Sequence, residues 1–300
     1  VFLLIAAVAP PALASQISTT ITTASDNEVM ERCDQIKIRF GDRGGDLPIA
    51  RGEEELKMAR TPGRPLTLEL SDGCGMRIQE GDGNEYEIRV CKAAGAGSSE
   101  KARRALQEIS VSRSGSRLSI QGPEDGNWLA YLLVKAPKDA EMELVTQNGE
   151  IGLTGVSGKI RARSQNGPIA LTKCSHEVRA TTQNGPISLT GGSGDFRLKA
   201  ENGPISVDLS GGGWRGEGLE VSTENGPLSL KLPGNFKTGI RVEVASQSAV
   251  NVDCEAPECR EAKWTWNQDT RRIEFGRQPA TVRMTTVNGP VSIQSRSVEF

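Results

Sequence analysis

The sequence predicts an all-β fold, a β-solenoid with coils of about 18–23 residues, and three observations carry that expectation. First, QNGEIGL, QNGPIAL, QNGPISL and ENGPISV follow one another with their asparagines, Asn148, Asn166, Asn184 and Asn202, 18 residues apart, and a fixed short period marks a repeat architecture. Second, apolar and polar residues alternate around each asparagine, the pattern of a half-buried strand. Third, equivalent positions keep one residue type from repeat to repeat, as stacking of like coils about 4.8 Å apart requires. Asn-Gly between alternating segments is also a strong hairpin signal, so an antiparallel meander competes.

The chain opens with VFLLIAAVAPPALASQ, an apolar run closing on Ala12-Leu13-Ala14. It reads as a signal peptide over residues 1–14, truncated at its start and too short to span a bilayer. Residues 15–54 are polar and without period, a leader before a solenoid domain over 55–300. Leu66, Leu68 and Leu70 before Asp72-Gly73, then Met76 and Ile78, match the repeat with one inserted residue. Ser98 to Leu106 is a helix, with serine at its start and good helix formers within. Ile109 and Val111 before Ser114-Gly115, then Leu118 and Ile120, read as a second early coil, and Trp128 to Val134 as the most apolar strand.

The regular repeats occupy 142–293. Before each corner the inward positions are Met142, Leu144 and Thr146; Ile160, Ala162 and Ser164; Val178, Ala180 and Thr182; Phe196, Leu198 and Ala200. After it come Ile151 and Leu153, Ile169 and Leu171, Ile187 and Leu189, Ile205 and Val207. At the corner Asn and Gly tolerate positive φ, and the proline presets its own φ. Asn225 and Asn288 continue the row, whose stacked amides are expected to hydrogen-bond to one another. The stretch Gly211 to Gly218 is an insertion that lengthens one step to 23 residues. Val242, Val244, Gln247-Ser248, Val250 and Val252 form a degenerate coil. Residues 253–276 are an excursion carrying a hairpin, Trp264–Asn267 against Arg272–Phe275. Val282, Met284 and Thr286 then close the array, with the hairpin shielding its end.

Composition fits export. Hydrophobic residues are 36% and aromatics 4%, with 34 glycines, which suits a narrow core of small and branched side chains. A net charge of −2 gives no general attraction to nucleic acid. No later stretch is apolar enough for a membrane span. Six cysteines in an exported chain point to disulfides, with Cys254 and Cys259 as a local pair and Cys74 with Cys91 as a second candidate. Without a CxxC, and with a single histidine, no metal or cofactor site is expected.

Catalytic patterns are weak. His176 follows Cys174 and Ser175 in a turn and has no second histidine to work with. Gly211, Gly213 and Gly216 match GxGxxG, yet no helix can start in GGGWRGEG. A β-helix lyase or glycosidase would bring carboxylates together across adjacent coils, and the outward positions show no such column. Trp214, in the glycine-rich loop, is the surface candidate for stacking on a sugar, whereas Trp128 reads as core. One outward pattern stands out. Arg161, Arg179 and Arg197 each lie five residues before a corner asparagine, with Arg163 and Lys199 on the same face. Stacked coils would space these charges about 5 Å apart, a row suited to an anionic envelope glycan or polymer. Glu143 and Glu220 in the same column offer the plainer alternative, a solvated and neutralised ladder.

The NGPISL-type repeats behind a signal peptide, in a chain of regular and degenerate coils, resemble a bacterial β-strand-repeat adhesin-like family of unknown function, related to adhesin head domains. The likeness covers about residues 60–295. It implies a solenoid and a non-enzymatic exported protein, periplasmic or extracellular, that binds or scaffolds at the cell envelope. It brings no catalytic residues. A carbohydrate-active β-helix enzyme and a purely structural periplasmic domain remain the alternatives.

Overall fold

A computed structural model describes residues 18–22, 30–42, 45–70, 73–124, 126–234, 236–245, 252–267 and 270–295. The opening run 1–14, the corner at Asp72 and the Gln247–Ser248 corner with Val250 lie outside them. The fold is all-β, with two long sheets of mostly parallel strands and, among these residues, one α-helix and two short 3-10 turns. Sheet I runs in space through Ile49–Ala59, Glu85–Gly95, Asn127–Ala136, Gly75–Glu80, Ile151–Thr154, Ile169–Thr172, Ile187–Thr190, Ile205–Asp208, Leu228–Leu232, Val291–Ser295 and Val252–Cys254. Sheet II runs through Ser110–Ser114, Arg117–Gln121, Leu66–Leu70, Ala140–Thr146, Ser157–Ser164, Ser175–Thr182, Ser193–Ala200, Gly218–Thr223, Ala280–Thr286, Gly239–Ala245, Thr270–Phe275 and Lys263–Trp266.

The asparagine corner carries the chain from sheet II to sheet I, and the next turn returns it to sheet II one strand further on. Equivalent residues pair in parallel: Ile151 with Ile169, Ile169 with Ile187, Ile187 with Ile205. The hairpin reading of Asn-Gly is therefore excluded in the repeats. Alternation does the rest, since Ile160 and Ala162 are buried with the inner residues of sheet I in one core while Lys159 and Arg163 point out.

Two backbone requirements shape the corners. The asparagine amides form a ladder, each Nδ2 donating to the Oδ1 of the preceding rung at 2.6–3.0 Å from Asn166 to Asn148 through Asn288 to Asn225. The corner glycine serves close approach and not, as expected, positive φ. A Cβ on Gly185 would stand 2.1 Å from the Gly167 carbonyl oxygen, and one on Gly203 1.9 Å from that of Gly185. Positive φ belongs to the opposite turn, at Gly155 (67°), Lys173 (52°) and Gly191 (65°), and recurs at Gly158, His176 and Gly194 at the start of the strands that follow. Inward hydroxyls satisfy the buried corner backbone: Gly167 N–H donates to Ser164 Oγ (2.8 Å), Gly185 N–H to Thr182 Oγ1 (3.0 Å), and Thr146 Oγ1 donates to Gly149 O (2.9 Å).

The N-terminal region departs from a loose leader. Ser18–Thr22, Lys37–Asp42 and Gly45–Asp46 form a small antiparallel sheet, and Ile49–Ala59 joins sheet I across the expected domain start at 55. Ile36, Ile38 and Phe40 pack on Leu129, Tyr131 and Leu133, while Ala130, Leu132 and Val134 of the same strand face the main core. Burial on both faces is why 128–134 is so apolar. The helix forms as Ser99–Glu108, capped where Lys101 N–H donates to Ser98 Oγ at 3.3 Å.

Three further expectations are corrected. Ser110–Ser114 and Arg117–Gln121 pair antiparallel as a hairpin at the end of sheet II, not as a coil, because Gly115 at φ 60° closes a two-residue turn. Cys91 bonds Cys33, drawn to it as the N-terminal segment packs on sheet I, so it does not bond Cys74; Cys254–Cys259 forms as read. Cys74 and Cys174 are buried outside both disulfides. Lastly, the rung that ends the chain does not end the array: Ala280–Thr286 lies between Gly218–Thr223 and Gly239–Ala245, and Val291–Ser295 between Leu228–Leu232 and Val252–Cys254.

Candidate functional site

The outward face of sheet II is where the cationic residues meet. Parallel register places Arg161 beside Arg179 and Arg179 beside Arg197, with Glu143 before them and Glu220 after, followed by Arg283 and Arg241. Arg163 and Lys199 lie two residues on, with Thr181 between them. All five cations of the sequence pattern thus share one face, and the side chains of Arg179, Arg197, Arg163 and Lys199 are about half exposed.

Carboxylates interleave with them. Arg163 Nη1 lies 3.7 Å from Glu143 Oε1, Arg197 Nε 3.4 Å from Glu220 Oε2, and Lys199 Nζ 3.5 Å from Glu224 Oε1. Glu177 stands 3.7 Å from Lys159 Nζ and 3.2 Å from Arg179 Nε, the latter off the direction of a hydrogen bond. Exposed pairs of this kind contribute about 0–1 kcal/mol each, so they compensate charge without locking it. Among the described residues no carboxylate pairs with Arg161. Beside Arg197 a groove of about 280 Å³ opens where Gly218 carries no side chain between Asp195 and Thr281, with Glu217 and Arg283 on its rim.

A second charged group escaped the sequence reading. Arg77 is buried on the outer side of sheet I, its Nη2 2.9 Å from Glu150 Oε1, and Tyr131 Oη donates to Glu150 Oε2 at 3.1 Å. Burial, and then the Glu150 charge, push the Tyr131 phenol far above its ordinary range. The signal lay in the first repeat, which alone has Glu150 where the others have proline and Gly152 where they have Ala170, Ser188 or Ser206. A Cβ on Gly152 would stand 3.2 Å from Arg77 Nε, so both departures make room and charge for one arginine.

Other candidates resolve plainly. Trp214 is not a surface platform: it is 8% exposed, its ring edge-on to Phe196 at 5.3 Å and its Nε1–H donating to Gly194 O at 3.0 Å, because the glycine-rich insertion folds inward. Trp128 is partly buried and donates to Pro123 O. His176 lies in the strand Ser175–Thr182 and not in a turn, at φ 83° and paired with Gly158 and Gly194. Among the described residues no three His, Cys, Asp or Glu are grouped to hold a metal ion, and no helix is long and apolar enough to cross a membrane.

No family model matches the chain, and no curated protein matches it. Solved structures do. A candidate adhesin from Bacteroides fragilis is 8% identical, covering 82% of this chain and 97% of its own, with a TM-score of 0.37. A candidate lipid-binding protein from Parabacteroides distasonis is 11% identical over the same shares, also at 0.37. A candidate cell adhesion protein from Clostridium sporogenes is 10% identical, covering 82% of this chain and all of its own, at 0.28. Two of these three neighbours are described as adhesion proteins and one as a lipid-binding protein, and likenesses this distant carry no activity across to this chain.

Proposed function

We propose that this chain is a β-solenoid that works outside the cytoplasm as a non-enzymatic binding or scaffolding module of the cell envelope or surface, engaging an anionic glycan or polymer along the outer face of sheet II. The observation that carries the reading is the registered column Arg161, Arg179 and Arg197, in which, among the described residues, no carboxylate pairs with Arg161. Forked guanidinium groups one strand apart suit successive anionic groups of an extended polymer. Interleaved carboxylates make such binding shallow and salt-sensitive. Parallel rungs in 18-residue steps, with like residues in register, support the solenoid. The two disulfides agree with an oxidising compartment. The test is binding of the purified protein to alginate, pectate and polyphosphate over a salt series. Binding should fall steeply with salt and be largely lost in R161Q/R179Q/R197Q. A triple variant that folds normally and binds these polymers like the parent ends the reading.

A further inference from the structure

The end of sheet II has an edge unlike the others. Ile49–Ala59, one edge of sheet I, is guarded by Arg51, Glu53, Glu55 and Lys57 and touched by the helix, the other edge, Val252–Cys254, is only three residues long with Asp253 exposed, and Ser110–Ser114 carries serines and Arg113. Such charges are how soluble proteins keep edges apart. Lys263–Trp266 ends sheet II with every residue exposed, and Trp264 and Trp266 are 40% and 60% exposed, two of only three exposed large hydrophobic residues among those described. Their rings stack with centroids 6.1 Å apart, and Arg271 lies 4.9 Å over Trp266. Trp264 pairs with the buried Ile273, which puts both rings on the core side of the sheet, past the last strand of sheet I.

Asn267 N–H donates to Thr270 O at 3.1 Å, so in the antiparallel alternation the bonded pairs are Thr265 with Arg272 and Lys263 with Glu274. The N–H and C=O groups of Trp264 and Trp266 therefore point away from the hairpin, to an edge that no described strand covers. We propose that this edge is a homotypic interface, on which a second copy of the chain pairs antiparallel through the same strand. A two-fold axis at Thr265 sets Trp264 opposite Trp266 of the copy as bonded pairs. Four indoles then close over the end of the core. It also sets Lys263 opposite Asn267, so no like charges meet. This self-complementarity selects a second copy over a glycan, because the faces of Trp266 are already met by Trp264 and Arg271. An isologous contact of this kind closes at two copies.

The same axis puts the two Thr265 residues face to face as a non-bonded pair with Cα atoms about 4.5 Å apart, within reach of a disulfide. Sedimentation of the whole protein should show a concentration-dependent mass of two chains, and W264K/W266K should remain one chain with an unchanged circular dichroism spectrum. T265C should cross-link two chains on mild oxidation, reversibly with reductant. A parent that stays single at every concentration while T265C forms no covalent dimer overturns the proposal. So does tryptophan fluorescence quenched by neutral oligosaccharides on a single-chain species.

Discussion

A methyl group on the corner glycine of a regular repeat meets a carbonyl oxygen of the rung before it. Gly185→Ala would place Cβ 2.1 Å from Gly167 O, and because the obstacle is backbone, the rungs themselves must part. We expect a loss of about 3 kcal/mol or more in denaturant melts. The opposite turn predicts the opposite sign. Lys173, at φ 52°, stands in a column with Gly155 and Gly191, so Lys173→Gly relieves a left-handed cost of about 1 kcal/mol and should leave the fold as stable or more so. The buried thiols give a pH dependence. Burial pushes Cys174 from an ordinary 9.0 up to about 12. The unfolded chain loses that proton near 9 and the folded chain keeps it until about 12, so stability is whole below pH 9 and falls as pH rises toward 12. Alkaline melts should show that decline, reduced in Cys174→Ala. Thiol reagents at neutral pH should label neither Cys74 nor Cys174 until the protein is denatured.

At the scale of the element, each repeat is legible because its information is local. The alternation in Ile160 to Ser164 tells which side is buried, and the asparagine period tells which residues share a column. The departures from the pattern are what the repeat cannot explain by itself. Glu150 looks like a blemish where proline belongs, yet it holds the buried Arg77. Restoring the consensus with Glu150→Pro should therefore destabilise, by about 3 kcal/mol, because it removes the carboxylate beside a buried guanidinium. A melt of this variant at or above the parent's stability would refute the assigned role. The arginine column was likewise readable as a row, but its pairing was only half readable. Glu143 and Glu220 stand in the column and Glu177 lies two residues from Arg179 on one strand, whereas Glu224 reaches Lys199 from a neighbouring position that only the sheet brings near.

For the whole molecule, the order of rungs has a consequence for truncation. A chain ending at Pro279 loses Ala280–Thr286 and Val291–Ser295, which lie inside the array, so Gly239–Ala245 loses the strand it docks on, and the hairpin from Lys263 to Phe275, which pairs with Gly239–Ala245, loses its tie to the array. Hydrogen exchange should show those strands unprotected while Ala140 to Asp208 stays protected; retained protection of Gly239–Ala245 would contradict the order. The sequence by itself determined the all-β character, the two-strand repeat unit, the inner columns, the asparagine row and the Cys254–Cys259 loop, because each depends on neighbours within about one period, while the parallel register was decided by the structure. Only the tertiary structure decided the Cys33–Cys91 bond, the inward turn of Trp214, the exposure of Trp264 and Trp266, and the insertion of the last rung. These depend on which surfaces meet across long separations. Asn288 can extend the amide ladder on Asn225 at 2.8 Å, and that rung takes the place next to the regular repeats, displacing the one that precedes it in the chain.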